Sequence, residues 1–398
     1  MTTKRMRAEP VLQPGRAWAR KVRRTLSTAV VLPLCACGDG PAPGDSRTPA
    51  DTAAWTLADT PRARIGVASG RPEYTLDRVY GGLVLPDGRI ALGNSGTREV
   101  RFFDARGAYL SSVGGEGGGP GEFRGVNWIG RGSGDSVLVF DLRSQRFSVL
   151  DPRGAFARSF QLRETRASAR PVGVFSDGTI AVAVEQQFDP RGGPGAVRDT
   201  IELLRVTPTG EIAGRLGRFP GVEWLIYEHP ASFRTTQLPF GRSGHVAVTG
   251  EHVAYGSSDS NRLRVFDRSG AVVRTIEFPA RPRRRLSEQE LSAYLEEAVQ
   301  DGAEREAIRH HFQGRGAAAA PVFSDLRADR RGNLWVQTFP ARDGAPSKWL
   351  VLSPAGETLG SVLLPADHLP LDIDSAAVLV RETDEDGVQR VSLRTVRQ

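Results

Sequence analysis

The sequence predicts an all-β protein: a six-bladed antiparallel β-propeller with a helical insertion between blades four and five. Three observations predict it. A turn-and-strand pattern recurs from about residue 61, its strands alternate apolar and polar residues, and the length accommodates six copies. Of 398 residues, 39% are apolar and 25% charged, a composition able to bury a core. Gly 45 and Pro 26 together are about 18% of the chain, against a usual share of about 12%, so many turns are expected. Residues 61–398 number 338; setting aside the 38 at 283–320 leaves 300, or about 50 per unit, which is blade-sized.

The chain opens on a segment outside this pattern. Residues 1–36 hold 8 of the 53 basic residues and 1 of the 46 acidic ones. The uncharged stretch 25–36 (TLSTAVVLPLCA) is too short to span a bilayer as a helix, and a basic region before such a stretch has the form of an export signal. Leu34-Cys35-Ala36-Cys37-Gly38 resembles the lipobox of bacterial lipoproteins. That resemblance implies acylation of Cys37 and a protein that is exported and membrane-anchored, periplasmic or on the outer membrane. Residues 37–60 are rich in Pro, Gly, Ala, Asp and Thr and read as a flexible tether. Beyond residue 36 the chain keeps 45 basic and 45 acidic residues. The +7 formal charge therefore belongs to the export segment, and a nucleic-acid partner is not expected.

The domain itself spans 61–398. A first strand runs into a turn at Pro86-Asp87-Gly88, Ser176-Asp177-Gly178, Thr249-Gly250-Glu251 and Arg331-Gly332-Asn333. A second strand follows (RIALG, TIAVAV, HVAYG, NLWVQ), then a third (VRFFD, FSVLD, LLRVT, LRVFD, WLVLS). The third ends in a turn whose first and fourth residues are Asp104 and Gly107, Asp151 and Gly154, Thr207 and Gly210, Asp267 and Gly270, or Ser353 and Gly356. A side-chain oxygen at the first position can bond its own backbone, and glycine at the fourth supplies a positive φ. A fourth strand leaves each turn. Residues 371–398 give a sixth copy that lacks this glycine turn and stops after three strands. Residues 63–67 (ARIGV) are the candidate for the missing fourth, which would close the ring and remove its edges. A β-sandwich leaves the four-strand period unexplained.

The run 114–123 (GGEGGGPGEF) looks like the blade junction of NHL-repeat propellers, and 259–267 (DSNRLRVFD) is similar to the strand run of the same repeat. Residues 214–221 (GRLGRFPG) read as a degenerate second junction. The domain thus resembles NHL-repeat and TolB-like bacterial propellers. The resemblance implies the fold and is nearly silent on activity.

Residues 286–312 break the β period. Ser287 and Glu290 form a capping-box pair, Leu286 can staple to Leu291, and Tyr294, Leu295, Ala298 and Val299 continue one apolar face. Gly302 is expected to end this helix, and a second should follow through Phe312. The resemblance to other propellers implies that the connection holding this insertion lies on the channel-mouth face. It either packs against blades four and five or covers the mouth.

Catalytic signatures are scarce. The glycine run lacks the Lys-Ser/Thr ending of a phosphate loop. His245 and His252 face each other across a hairpin in this reading, with no third ligand beside them. His310 and His311 diverge on a helix. No catalytic residue, metal or cofactor is expected, although Asp372 and Asp374 share a strand face and propeller lactonases bind metal with such carboxylates. Trp128, Trp224, Tyr227 and Trp349 are either packing residues or binding anchors. The binding candidates are residues that recur once per blade, five before each third-strand turn: Glu99, Arg146, Glu202, Arg262 and Lys348. They would form either inter-blade ion pairs or a ring that reads a polar ligand. The resulting expectation is a monomeric, non-enzymatic module that binds an envelope protein, peptide or glycan. The alternative is a metal-dependent lactonase or related hydrolase.

Overall fold

The computed structural model describes residues 53–162, 169–186, 193–229, 232–281, 283–313, 319–340, 345–374 and 376–398. The expected export segment 1–36, Cys37 and the expected tether as far as residue 52 lie outside the described residues.

The protein is an all-β propeller. A first sheet contains Val79–Val84, Ile90–Asn94, Glu99–Phe103 and Tyr109–Gly114 in chain order. A second contains Trp128–Arg131, Val137–Asp141, Arg146–Leu150 and Phe156–Gln161. The third has five strands: Ala169–Val174, Ile180–Gln186, Gly195–Val206, Ile212–His229 and Ser232–Gln237. The fourth contains Gly244–Val248, Val253–Ser257, Arg262–Phe266 and Val272–Glu277. The last is nine-stranded. One half holds Phe323–Ala328, Leu334–Thr338, Ser347–Leu352 and Thr358–Leu364, the other His368–Ile373, Ala377–Thr383 and Gln389–Arg397.

The core runs between the sheets. Phe102 and Val100 of the first sheet pack with Val137 and Leu150 of the second. Phe140 and Phe147 pack with Val182 and Leu204 of the third. Leu203 and Phe219 pack with Tyr255 and Phe266 of the fourth. Leu263 and Ile276 pack with Phe323 and Leu350, and Trp335 and Trp349 with Val378 and Val380. The circuit returns to its start, because Leu379 and Val391 pack with Val79 and Ile90 of the first sheet. Each sheet therefore buries both faces against its neighbours. Fully burying one such side chain contributes about 1.5–3 kcal/mol.

Turn chemistry follows the sequence. The fourth-position glycines Gly107, Gly154, Gly210, Gly270 and Gly356 have φ of 89°, 91°, 92°, 87° and 97°. Asp104 Oδ1 accepts from the amides of Arg106 and Ala108 at 2.9 and 2.8 Å. The same turn occurs at Asp384–Gly387, but there it joins the second and third strands of its group.

Closure also follows. Ala63–Ile65 pairs antiparallel with Gln389–Arg397, with Ala63 opposite Leu393 and Ile65 opposite Val391. One part of the tether reading is corrected. Ala54–Leu57 is a strand that lies parallel to Thr358–Leu364 and antiparallel to Gln389–Arg397. Trp55 inserts between the two halves, 6.3 Å from Trp335 in an edge-on contact. Gly360 makes room for it, since a Cβ there would collide with the Trp55 indole.

The third sheet departs from the four-strand pattern. The 214–221 run is not a junction. It lies inside the long strand Ile212–His229, whose irregular register with Gly195–Val206 absorbs its glycines. This hairpin outruns its sheet and adds Ser232–Gln237. Helices α1 (Glu288–Ala298) and α2 (Gly302–Phe312) pack on it: Leu295, Val299 and Ile308 bury against Leu225 and Leu238. The helices therefore rest on the third-sheet hairpin, which neither packing expectation had named. The Ser287–Glu290 capping box forms. Gly302 does not end α1; it begins α2, because Asp301 caps the amides of Ala303 and Glu304.

Candidate functional site

The first strands of the sheets adjoin one another around the central axis. Their two ends differ. At the end where they finish, four strand groups meet. Asp372 Oδ2 accepts the amide of Val84 at 2.8 Å, Arg330 at 2.8 Å and Arg131 at 3.4 Å. Both arginines also donate to the Val84 carbonyl, Arg131 at 2.9 Å. Arg330 reaches Asp374 at 3.2 Å. Burial lowers the pKa of Arg131, and Asp372 beside it acts in the opposite sense. The two carboxylates that share a strand face are thus held by guanidinium groups from the second sheet and the 323–364 half.

Away from that cluster, toward the end where the first strands begin, the pairs are smaller. Arg170 meets Glu185 at 3.0 Å within the third sheet, and Arg327 meets Asp325 at 2.9 Å on one strand. His245 lies between these groups and packs on Phe323 at 5.0 Å. Burial pushes its pKa down to about 4, while Asp325 raises it and Arg170 lowers it further. The imidazole is therefore neutral at pH 7.

Beside this end the long hairpin carries a second polar group. Arg198 donates to Ser257 Oγ at 2.7 Å and to the Gly221 carbonyl at 3.2 Å, and Ser257 donates to Asp259. Asp199 is buried and accepts the Trp224 indole N–H at 2.9 Å and the Val222 amide. Burial raises its pKa against those two hydrogen bonds. Glu223 holds Arg242 in a two-pronged contact, 2.7 Å at its shorter arm. Farther along, the same hairpin binds the helices: Arg234 contacts Asp301 at 3.3 Å and Thr236 bonds Glu304. Phe240 then joins Tyr294 of α1 to Phe339, at 5.1 and 6.2 Å. Arrangements of this kind can present several donors and acceptors to a polar ligand. Among the described residues no three His, Cys, Asp or Glu side chains gather as a metal set.

The structure does not bring the once-per-blade residues together. Glu99 pairs along its own strand with Arg101 at 3.0 Å. Arg146 donates to the Gly118 carbonyl at 2.7 Å and to that of Glu122, holding the glycine junction. Glu202 is buried and meets Arg215 at 2.5 Å on the adjacent strand. Arg262 meets Glu277 at 2.6 Å, again within one sheet. Lys348 is exposed and forms no ion pair among the described residues. For Glu202 and Arg262 the cause is register: each faces the strand beside it, which supplies the partner. Two histidine and aromatic readings are also resolved. His245 stands opposite Gly256, and His252 lies beyond the far end of that strand, so the two do not face each other. Trp349 and Tyr227 are buried packing residues.

Of the axial set Arg131–Arg330–Asp372, sequence reasoning singled out Asp372 with Asp374 and missed the two arginines. The members of the set lie 42 and 241 positions apart, and no repeat-wise count connects them. The hairpin set had a fainter signal in the departure of blade three from the pattern.

No protein-family model matches the sequence, and no curated protein sequence matches it. Solved structures do align. An exported protein from Bacteroides fragilis aligns at 10% identity and a TM-score of 0.49, over 86% of this chain and 98% of that one. Virginiamycin B lyase from Staphylococcus aureus aligns at 10% identity and 0.42, over 86% and 99%. A gluconolactonase from Xanthomonas campestris aligns at 13% and 0.39, over 86% and 98%. Among the described residues no helix is long and apolar enough to cross a membrane.

Proposed function

We propose that this chain is a six-bladed propeller of the NHL/TolB-like kind, exported, anchored through an acylated Cys37, and working as a non-enzymatic binding module for a peptide, protein or glycan of the cell envelope. The ligand would sit at the open end of the axis, beside the third-sheet hairpin and its two helices. In this reading the helices are an insertion between blades four and five that shapes one wall of the site.

The observation that carries the reading is the asymmetry of the two ends. The charges of one end are spent on one another across the ring. At the other, Arg170 is exposed, Arg198, Asp259, Asp325 and Arg327 are partly buried, and each is held in a pair. Fixed polar pairs recognise a polar ligand without having to be ordered first. The hydrolase reading asks for free axial carboxylates, and Asp372 and Asp374 are engaged by Arg131 and Arg330.

The test is direct titration of the purified chain with envelope peptides and glycan fragments, before and after Arg198→Ala and Asp325→Ala. A ligand whose Kd rises tenfold or more in both variants supports the open-end site. A ligand whose Kd moves in neither, or turnover of a lactone panel by the unaltered protein, would overturn it.

A further inference from the structure

The outer strands of the sheets are not equally occupied. In the 323–364 half the outer strand Thr358–Leu364 has taken on Ala54–Leu57, and Ser361 donates its amide to the Ala53 carbonyl at 2.9 Å. The outer strand of the second sheet, Phe156–Gln161, has no neighbour on its outer side among the described residues. Ser159 takes the place of Ser361 in it: each stands eight positions after the first residue of its glycine turn, Asp151 or Ser353. Leu162 donates its amide to the Gln145 carbonyl, so the backbone of Phe160 turns inward and that of Ser159 outward. One edge of the molecule thus shows how another can take a strand.

A groove of about 870 Å³ borders this second edge. Its lining includes Arg146, Arg158 and Ser159 and holds no carboxylate among the described residues. Both guanidinium groups donate to neutral carbonyls, Arg158 to Pro208 at 2.8 Å and Arg146 to Gly118 and Glu122. The Nε of Arg146 is buried without a partner. The fourth sheet shows what is missing. There Arg262, the counterpart of Arg146, stands opposite Glu277 and pairs with it at 2.6 Å. In the second sheet Arg146 stands opposite Gln161, and no acid compensates its charge. Arg158 lies over the Phe160 ring at 5.3 Å, whereas Arg146 is opposite the next residue, Gln161. The two cations therefore flank the edge on opposite faces, three residues apart along it.

We infer that this edge binds an extended acidic peptide segment as an added strand, with carboxylates three residues apart that reach Arg158 on one face and Arg146 on the other. Main-chain hydrogen bonds along the edge give the affinity, and the alternation of side chains across a strand sets the spacing. The site is separate from the open end of the axis and does not rest on the reading given there.

The probe is a fluorescein-labelled threonine–valine peptide with two glutamates three positions apart, titrated with the purified chain by fluorescence anisotropy. Its Kd should be at least tenfold lower than that of the same peptide with glutamines. Gln161→Glu supplies Arg146 with the acid of the fourth sheet and keeps its carbonyl contacts. That variant and Arg158→Gln should each raise the Kd at least fivefold. Of two peptides methylated at alternate backbone nitrogens, one in each phase, one should lose binding, with the protein itself unaltered. Equal binding of the glutamate and glutamine peptides would overturn the proposal, as would full binding of both methylated peptides. A Kd that responds to Arg198→Ala and to neither edge variant would place the peptide at the open end and also overturn it. A glutamate peptide that does not bind at all overturns the edge site and leaves the open-end reading intact.

Discussion

The two ends of the axis are built from the same residue types and join different distances along the chain. At the closed end, Asp372 gathers Val84, Arg131 and Arg330, partners that lie 288, 241 and 42 positions away. At the other end, Arg170 and Glu185 are 15 positions apart and Asp325 and Arg327 only two, and a longer link, Arg198 to Ser257, spans 59. Long-range pairs fasten strand groups to one another, whereas short-range pairs fix side chains on a single sheet. Charge that closes the ring is engaged by several partners at once, and charge paired locally by fewer. The same amino acids thus serve two kinds of linkage, and the proposed binding site lies at the end with the local pairs.

The sharpest way to break this comparison is Asp372→Ala. It leaves two guanidinium groups facing each other and the Val84 amide without its acceptor. Removing one member of a buried ionic set costs 3–5 kcal/mol, and partial exposure of these arginines reduces that to about 3 kcal/mol. Urea unfolding should show it as a lowered midpoint. Asp372→Asn, which can still accept from Val84, should fall between. A loss below about 1 kcal/mol would mean that the four strand groups are not tied there.

Acid sharpens the same contrast at the open end. The folded pKa of His245 is lowered from its ordinary 6.5 to about 4 by burial. The unfolded chain therefore takes up the proton first as pH falls. Stability from this group is complete above about pH 6.5 and is lost on the way down to about pH 4. The shift corresponds to a loss on the order of 3 kcal/mol. His245→Gln should remove this slope, read as the difference between the two stability profiles in that window. Asp259, held low by Ser257 and Arg198 against its burial, loses its contribution at lower pH and does not confuse the comparison.

What the sequence disclosed follows the same division by distance. The glycine turns, the capping box and the closing strand at 63–65 were legible, because each is fixed within a few residues or by counting strands. Of the axial cluster only the Asp372–Asp374 spacing was, since no pattern in the chain relates residue 131 to residue 372. The hairpin extension was masked by Gly214, Gly217 and Pro220, which suggest a turn and are instead absorbed by bulges. Asp301 followed by Glu304 is an N-terminal signature, and Gly302 between them is also the residue type of a helix stop. Trp55 disappeared into a window whose average composition is that of a linker.

The smallest expected effects come from the once-per-blade residues, and they still separate two mechanisms. Arg262 and Glu277 have 65% and 58% of their side chains exposed, and such pairs contribute about 0–1 kcal/mol. Arg262→Ala should move the unfolding midpoint only slightly, and 0.5 M salt should erase the difference because exposed charges are screened. Arg146 instead donates to two neutral carbonyls of the glycine junction between the first and second sheets. Arg146→Ala leaves those carbonyls to water and loosens a glycine-rich loop, at a cost of about 1 kcal/mol that salt does not remove. Measuring both variants at low and high salt therefore distinguishes an ion pair from a hydrogen-bonded staple. Equal salt sensitivity would show that residues at the same point in the repeat also share one physical role.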